Sequence, residues 1–321
     1  ASKLTEIVFE GSAITVGLNA FAKNEVLTTV TTGKMSTIGA SAFNSCLKLS
    51  EINLSGCRSI GNWAFDNCQS LRSIVIPYSV SSLGEKGCFN GCPLLKDVEI
   101  NSSSLINADY TGAEKSLINR FGAFVENAVI NNASIIGKAA FSNAPSLTSV
   151  TIGSKATTIY SSTFEGSTKL KNVTFAGKYV FELNDISIKD WSETDNVGTC
   201  FPYVENLTLP DGTHLGKYAF FMHENLKTVN GDIVAFNNYC FAGCTNLESV
   251  SLVGGNNSTV GAYAFMGCSK LTNVTLNEGI WGIEKDAFML TGLKEIALPA
   301  SCEFLENWPF AGCTLTKVIV R

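Results

Sequence analysis

The sequence predicts a β-rich solenoid of short parallel strands that repeats every 21–24 residues. Three observations predict this fold class. A hexapeptide of the form I-G-x-x-A-F recurs along most of the chain, and a short alternating apolar segment follows each regular copy. Hydrophobic residues make up 45% of the chain, which permits a large core. Only 16% of the residues are charged, fewer than helix-rich soluble proteins usually carry. A repeat of this length is typical of proteins whose units stack on one another.

The hexapeptide sets the period. Its clear copies end at Phe43, Phe65, Phe141, Phe220, Phe265 and Phe288, looser copies end at Phe21, Phe164, Phe241 and Phe310, and a copy with one extra residue ends at Phe89. Consecutive copies are 21–24 residues apart. We expect the glycine at the second position of the hexapeptide to serve a tight backbone bend.

A strand pattern follows each phenylalanine. After Phe65, for example, come Leu71, Ile74 and Ile76, and the last two units run one residue shorter. The end of this pattern alternates with a period of two, which indicates a short strand with one buried face. One strand and one turn cannot bury that face alone. Stacking successive units about 5 Å apart pairs their backbones and builds a continuous core.

A β-sandwich with strands about every ten residues is the alternative fold class. Strands of a sandwich need not resemble one another, whereas the hexapeptide here is nearly constant. The repeat therefore favours the solenoid.

The compound motif resembles a known repeat family. Residues 71–77 read LRSIVIP and residues 241–244 read FAGC, which match the BspA-type leucine-rich repeats closely. The resemblance covers nearly the whole chain and implies a curved, right-handed leucine-rich-repeat superhelix. It also implies a surface or secreted protein of host-associated bacteria or protozoa, with a role in adhesion or host-protein binding. No catalytic residue belongs to the family motif.

Two irregular insertions interrupt the period. The spacing is 52 residues from Phe89 to Phe141 and 56 residues from Phe164 to Phe220. We expect a single solenoid domain over residues 1–321, with the surplus chain near 101–120 and 176–199, and a degenerate hexapeptide in FGAF at 121–124. Insertions in repeat proteins map to loops on one face and often carry function. The alternative is that they are decorated turns without a ligand.

The second insertion supplies the candidate binding residues, which are Tyr179, Asp190, Trp191, Glu193 and Tyr203. Trp191 has no equivalent position in the repeat, and tryptophan is enriched at binding hot spots. We therefore expect Trp191 to be an exposed anchor with acidic neighbours. The ligand spacing of a calcium loop is absent from this segment, so we predict no metal site there.

The cysteines follow the repeat rather than a metal motif. Six of the eleven lie three residues after a repeat phenylalanine, where other units have Ala144 or Ser167. This pattern indicates a small-residue packing position, where thiols behave as small hydrophobic groups. No C-x-x-C occurs, so we predict reduced thiols and no zinc site.

Charge and motifs exclude several function classes. The net charge of −5 removes a general electrostatic case for binding nucleic acid. No apolar run is long enough to cross a bilayer. The chain has only two histidines and no G-x-S-x-G, G-x-G-x-x-G or P-loop motif, so we predict no catalytic residue and no cofactor. The outward strand positions are rich in Ser, Thr and Asn, which makes the sheet alone a poor hot spot.

Together these features predict a non-enzymatic binding or adhesion module that recognises a protein or glycan partner, such as one from a host. We expect a monomer that is secreted or displayed at a cell surface, does not bind nucleic acid, and reaches a membrane only through an anchor outside this chain. A structural spacer that displays another domain is the first alternative. A hydrolase with its site in the insertions is the second.

Overall fold

A computed structural model describes residues 3–10, 13–32, 35–156, 158–160, 162–176, 197–255 and 258–321. By its internal contacts the chain divides into two compact units, Ala1–Leu170 and Lys171–Arg321. Both units are built from short parallel strands, which confirms the predicted solenoid. The prediction that the whole chain forms one domain stays a prediction.

The first unit contains two rows of strands. First-row strands follow the repeat phenylalanine, and second-row strands lead into the next hexapeptide. The first row consists of Glu6–Phe9, Thr29–Thr32, Glu51–Ile52, Ser73–Ile76, Asp97–Ile100, Asn127–Ile130 and Ser149–Ile152. The second row consists of Ile14–Val16, Met35–Ile38, Ser59–Ile60, Ser82–Leu83, Ile135–Ile136 and Thr158–Ile159.

The second unit repeats this arrangement. Its first row consists of Asn172–Phe175, Asn206–Thr208, Thr228–Asn230, Ser249–Leu252, Asn273–Leu276, Glu295–Leu298 and Lys317–Val320. Its second row consists of Thr213–Leu215, Ile233–Phe236, Ser258–Val260, Ile280–Ile283 and Phe304–Leu305. The described helices are short: Ser103–Ile106 is α-helical, and Ile118–Phe121 and Val197–Cys200 are 3-10 helices. In the described part of the chain, none has the length and apolar character needed to cross a membrane.

The irregular segments leave the strand ladder intact. Asp97–Ile100 pairs in register with Asn127–Ile130, although the first insertion separates them in sequence. Asn172–Phe175 pairs with Asn206–Thr208 in the same way. Each insertion is therefore extra chain between two neighbouring strands, because the strands themselves stay paired.

A phenylalanine ladder forms the core, as the repeat predicts. Ring centroids lie 5.0–5.4 Å apart in the first unit, along Phe21, Phe43, Phe65, Phe89 and Phe121. They lie 5.2–5.7 Å apart in the second, along Phe220, Phe241, Phe265, Phe288 and Phe310. Stacked rings at this separation contribute beyond the burial of their area.

The FGAF segment departs from the predicted register. A hexapeptide ending at residue 124 would bury Phe124, but Phe124 is 39% exposed and Phe121 is buried. The 3-10 helix Ile118–Phe121 delivers Phe121 to the ladder, where it stacks on Phe89. The phenylalanine that joins the ladder in this turn is therefore residue 121, three residues before the predicted position at residue 124.

The hexapeptide glycine has a different role from the one predicted. Gly61 does not adopt a left-handed backbone; the left-handed residues lie two positions before and two after the phenylalanine, such as Trp63 and Asn67 at φ 56° and 59°. A Cβ atom on Gly61 would lie 2.6 Å from the backbone nitrogen of Ala40. The glycine is needed because two turns of backbone approach each other closely, and not because of a bend.

The packing position three residues after the phenylalanine is also a hydrogen-bonding position. The thiol of Cys68 donates to the carbonyl of Phe43, one turn earlier, at 3.3 Å, and the Ser167 hydroxyl donates to Phe141 at 2.7 Å. His223 occupies the same position, with Nε2 2.9 Å from the Phe201 carbonyl. Burial lowers the pKa of His223, which favours the neutral ring. Cys68, Ser167 and His223 therefore each fill this position and bond to the turn before, whereas Ala144 only fills it.

We expect the native thiols to react slowly with a thiol reagent at pH 8. Burial raises the pKa of Cys46 to about 11 and that of Cys92 to about 12, and the thiolate is the reactive form. The half-buried Cys302 and Cys313 should react first. Time-resolved thiol titration checks this, followed by titration in denaturant, which should count all eleven. Fast reaction of many native thiols, or a count below eleven after unfolding, would contradict the packing described above.

Candidate interaction surface

Most of the predicted binding residues lie outside the described residues. These are Tyr179, Asp190, Trp191 and Glu193. Their proposed role as an exposed anchor with acidic neighbours stays a prediction.

Tyr203 is described and lies beside a charged cluster on the sheet. It is half-buried, two residues after the buried Phe201, and its carbonyl accepts a hydrogen bond from Lys171 Nζ at 3.3 Å. Lys171 and Lys227 also contact Glu205, at 3.1 and 2.7 Å. Hydrogen bonds from Lys227 and Lys171 lower the pKa of Glu205, so this carboxylate is charged at neutral pH.

The first insertion is fastened to the solenoid by buried polar contacts. Arg120 is only 8% exposed and donates from its guanidinium to the Leu83 carbonyl at 2.6 Å. The Arg120 guanidinium lies 5.1 Å from the ring centre of Tyr110, whose hydroxyl donates to Leu105 at 2.8 Å. These contacts hold the insertion as part of the core.

A groove of about 670 Å³ lies beside this insertion. Its polar lining is largely bonded within the protein. The Asn119 amide donates to Ser116 Oγ and to the Ser142 carbonyl, at 2.9 and 3.1 Å, and Lys115 donates to Asn90 at 2.9 Å. Groups engaged in this way offer little to a ligand, since binding would have to break existing hydrogen bonds.

The outward face of the first-row strands is likewise self-bonded. Asn127 donates to Asp97 at 2.8 Å in the first unit. In the second unit, Thr228 donates to Asn206, which donates to Asn172, at 2.8 and 2.9 Å. These ladders link neighbouring strands, in keeping with the expectation that this face alone is a poor hot spot.

A row of tyrosines on the second unit is the strongest candidate surface. Tyr218, Tyr239 and Tyr263 each lie two residues before a ladder phenylalanine, with φ of 60–62°. Their rings stack at centroid separations of 5.0 and 4.7 Å, and all three are partly open to solvent. We call these three residues the tyrosine ridge. The left-handed backbone turns the three side chains away from the core, and the constant repeat aligns them.

Cations flank the tyrosine ridge. Lys217 Nζ lies 5.9 Å from the ring centre of Tyr218, and Lys285 Nζ lies 5.7 Å from that of Tyr263. The nearby carboxylate of Glu284 is engaged internally, because it accepts hydrogen bonds from Thr259 Oγ1 and the Ala262 amide at 2.8 and 3.0 Å. Desolvation raises the pKa of Tyr239, so its hydroxyl stays protonated at neutral pH.

Sequence reasoning missed this surface, although a signal was present. The fourth position of the hexapeptide reads Tyr in LGKYAF, FNNYCF and VGAYAF and Trp in IGNWAF and LENWPF. Those tryptophans, Trp63 and Trp308, are 38% and 74% exposed. The pattern alone does not show that the backbone of this position is left-handed and that its side chain points outward.

The stacked turns of 21–24 residues and their parallel strands are typical of a leucine-rich repeat protein. The model of the family described as "BspA type Leucine rich repeat region" matches residues 1–111, 124–197 and 198–317, in six copies. The chain belongs to this family, as the sequence resemblance predicted.

Three of the solved structures that are similar to this chain are leucine-rich repeat proteins of bacteria. A leucine-rich repeat protein from Bacteroides ovatus is 21% identical over 98% of this chain and 82% of its own, with a TM-score of 0.41. One from Eubacterium ventriosum is 19% identical over 97% and 83%, with a TM-score of 0.38. A leucine-rich cell surface protein from Faecalibacterium prausnitzii is 20% identical over 99% and 79%, with a TM-score of 0.32. No curated protein matches the chain.

Proposed function

We propose that the chain is a non-enzymatic binding module that contacts a protein partner through the tyrosine ridge. The observation that carries this proposal is the alignment of three outward tyrosines on consecutive turns, with stacking distances of 5.0 and 4.7 Å. Tyrosine supplies a large, stiff contact area with a polar end, and it is enriched in the cores of protein interfaces. The rings are already ordered by one another, so little side-chain freedom is lost on binding.

The arrangement of the rings favours a protein over a glycan. Both faces of Tyr239 are covered, by Tyr218 on one side and Tyr263 on the other. A sugar that stacks on an aromatic side chain needs an open ring face, whereas the tyrosine ridge presents ring edges and hydroxyl groups. Phe221 adds to the aromatic surface, because its ring lies perpendicular to that of Tyr218 with 5.5 Å between the ring centroids. Edges, hydroxyls and flanking lysines suit the mixed apolar and polar surface of a folded protein.

We further propose that the module acts outside the cell, secreted or displayed at the surface as a monomer, with adhesion to a host protein as its role. The support is the family resemblance of the repeat motif. An anchor outside this chain would attach it to a membrane.

The alternative function is a structural spacer, which the self-bonded polar ladders of the sheet favour.

Tyr239→Asn should weaken binding about thirtyfold or more. The expected loss is that of a hot-spot aromatic, about 2 kcal/mol or more. Asparagine suits the left-handed backbone, and Asn19 occupies the same repeat position at φ 56°, so folding should be preserved. The measurement is the affinity for a protein identified by screening purified matrix proteins, mucin and glycans. Tyr78→Asn is the matched control, because Tyr78 is 83% exposed and lies outside the tyrosine ridge.

Other outcomes separate the alternatives. Loss of binding in Trp191→Ala with normal binding in Tyr239→Asn would assign recognition to the second insertion. Binding only to glycans would contradict the choice of a protein partner. A screen without any binder would favour the spacer.

A further inference from the structure

We infer that Tyr239 and Tyr263 form an oxidative cross-linking site, at which a dityrosine bond joins two adjacent turns of the solenoid. The site takes a one-electron oxidant of the peroxidase and hydrogen peroxide class. The inference does not depend on a binding partner.

The two rings are held in a reactive arrangement. Their centroids are 4.7 Å apart and their planes differ by 9°, so the two rings are nearly parallel and stacked on each other. Backbone hydrogen bonds join the two turns that carry these rings. The Tyr239 amide donates to the Ala262 carbonyl at 3.1 Å, and the Phe241 amide donates to the Ala264 carbonyl at 2.8 Å. Two groups held side by side react as if at very high concentration, because the entropy of bringing them together is already lost.

The chemistry balances with hydrogen peroxide as the final acceptor. Each phenol loses one electron and one proton and becomes a phenoxyl radical. The two radicals couple through a Cε atom of each ring, forming one carbon–carbon bond. The hydrogen on each coupled carbon then moves to the oxygen and restores both hydroxyl groups. Two electrons and two protons leave in total, and they reduce one hydrogen peroxide to two water molecules.

Three other tyrosines are less suited to this reaction. Tyr218 stacks on Tyr239 less closely, at 5.0 Å and 14°. The Tyr110 hydroxyl is buried and donates to the Leu105 carbonyl. Tyr78 is 83% exposed, so its radicals should couple between molecules instead of within one.

The experiment treats dilute, folded protein with horseradish peroxidase and hydrogen peroxide. A Tyr78→Phe background suppresses coupling between molecules. Cleavage after Glu248 separates the two tyrosines, and cleavage after Lys227 and Lys270 releases the peptides 228–248 and 249–270. Mass spectrometry should find these two peptides joined, with the loss of two hydrogen atoms, together with dityrosine fluorescence from monomeric protein.

Tyr239→Phe should abolish the joined peptide and most of the monomer fluorescence, because phenylalanine keeps the stacking but forms no phenoxyl radical. Unfolding in denaturant before oxidation should remove the preference for this pair. The inference is overturned if the joined peptide is absent while other tyrosines are oxidised. It is equally overturned if the yield is unchanged by Tyr239→Phe or by unfolding.

Discussion

Phe65→Ala should lower the free energy of unfolding by about 3–5 kcal/mol, the range for a large buried aromatic side chain. Phe65 is fully buried and stacks between Phe43 and Phe89 at 5.3 and 5.0 Å. Alanine would leave a cavity inside the ladder and remove both stacking contacts. Equilibrium denaturation of the whole chain, followed by circular dichroism, measures the effect.

Phe124→Ala is the matched control, because Phe124 is 39% exposed and lies outside the ladder. It should cost much less than Phe65→Ala. Because solenoid turns are stabilised mainly by their neighbours, the loss at Phe65 should appear first in the adjacent turns. A change below about 1 kcal/mol for Phe65→Ala would mean that this side chain is not an interior one.

Gly61→Ala should also destabilise the protein, by about 1–3 kcal/mol, the typical cost of adding a methyl group where no space exists. Its Cβ would lie 2.6 Å from the Ala40 nitrogen and 2.9 Å from the Gly39 carbonyl carbon. These are backbone atoms, so no flexible side chain can move aside. The two turns would have to separate, which weakens the hydrogen bond from the Gly61 amide to the Ile38 carbonyl, 2.8 Å long.

Gly17→Ala tests whether close approach is the cause. Gly17 occupies the same position of the hexapeptide, but nothing lies within 4 Å of a Cβ built there. Both variants should be compared by thermal melting under the same conditions. If Gly17→Ala is as damaging as Gly61→Ala, then backbone freedom and not the spacing of the turns requires the glycine.

The fold could be predicted from the sequence because every turn buries the same set of side chains in the same way. Phe65, Leu71 and Ile76 each bury a side chain against the equivalent residue of the next turn, so the period in sequence is the period in space. The pattern failed locally at Phe124, because a helical insertion can change the register of the ladder without changing the composition. It also misjudged the role of Gly61, since the distance between turns cannot be read from one turn.

The candidate surface was harder to predict for a related reason. Tyr239 and Tyr263 are 24 residues apart, and only the stacking of turns brings their rings to 4.7 Å. Irregular segments of a repeat protein often carry function, and Trp191 lies in one. A regular repeat position is a functional candidate as well, when the same residue type recurs on the outer side of successive turns.

The most direct test of the tyrosine ridge as the contact surface is hydrogen–deuterium exchange of the whole chain with and without its partner. The protein identified in the screen is added at saturating concentration, and protection is followed peptide by peptide. The account predicts slower exchange in the turns around Tyr218, Tyr239 and Tyr263, with little change in the first-row strands. Protection confined to the outward face of those strands, or to residues 176–199, would contradict it.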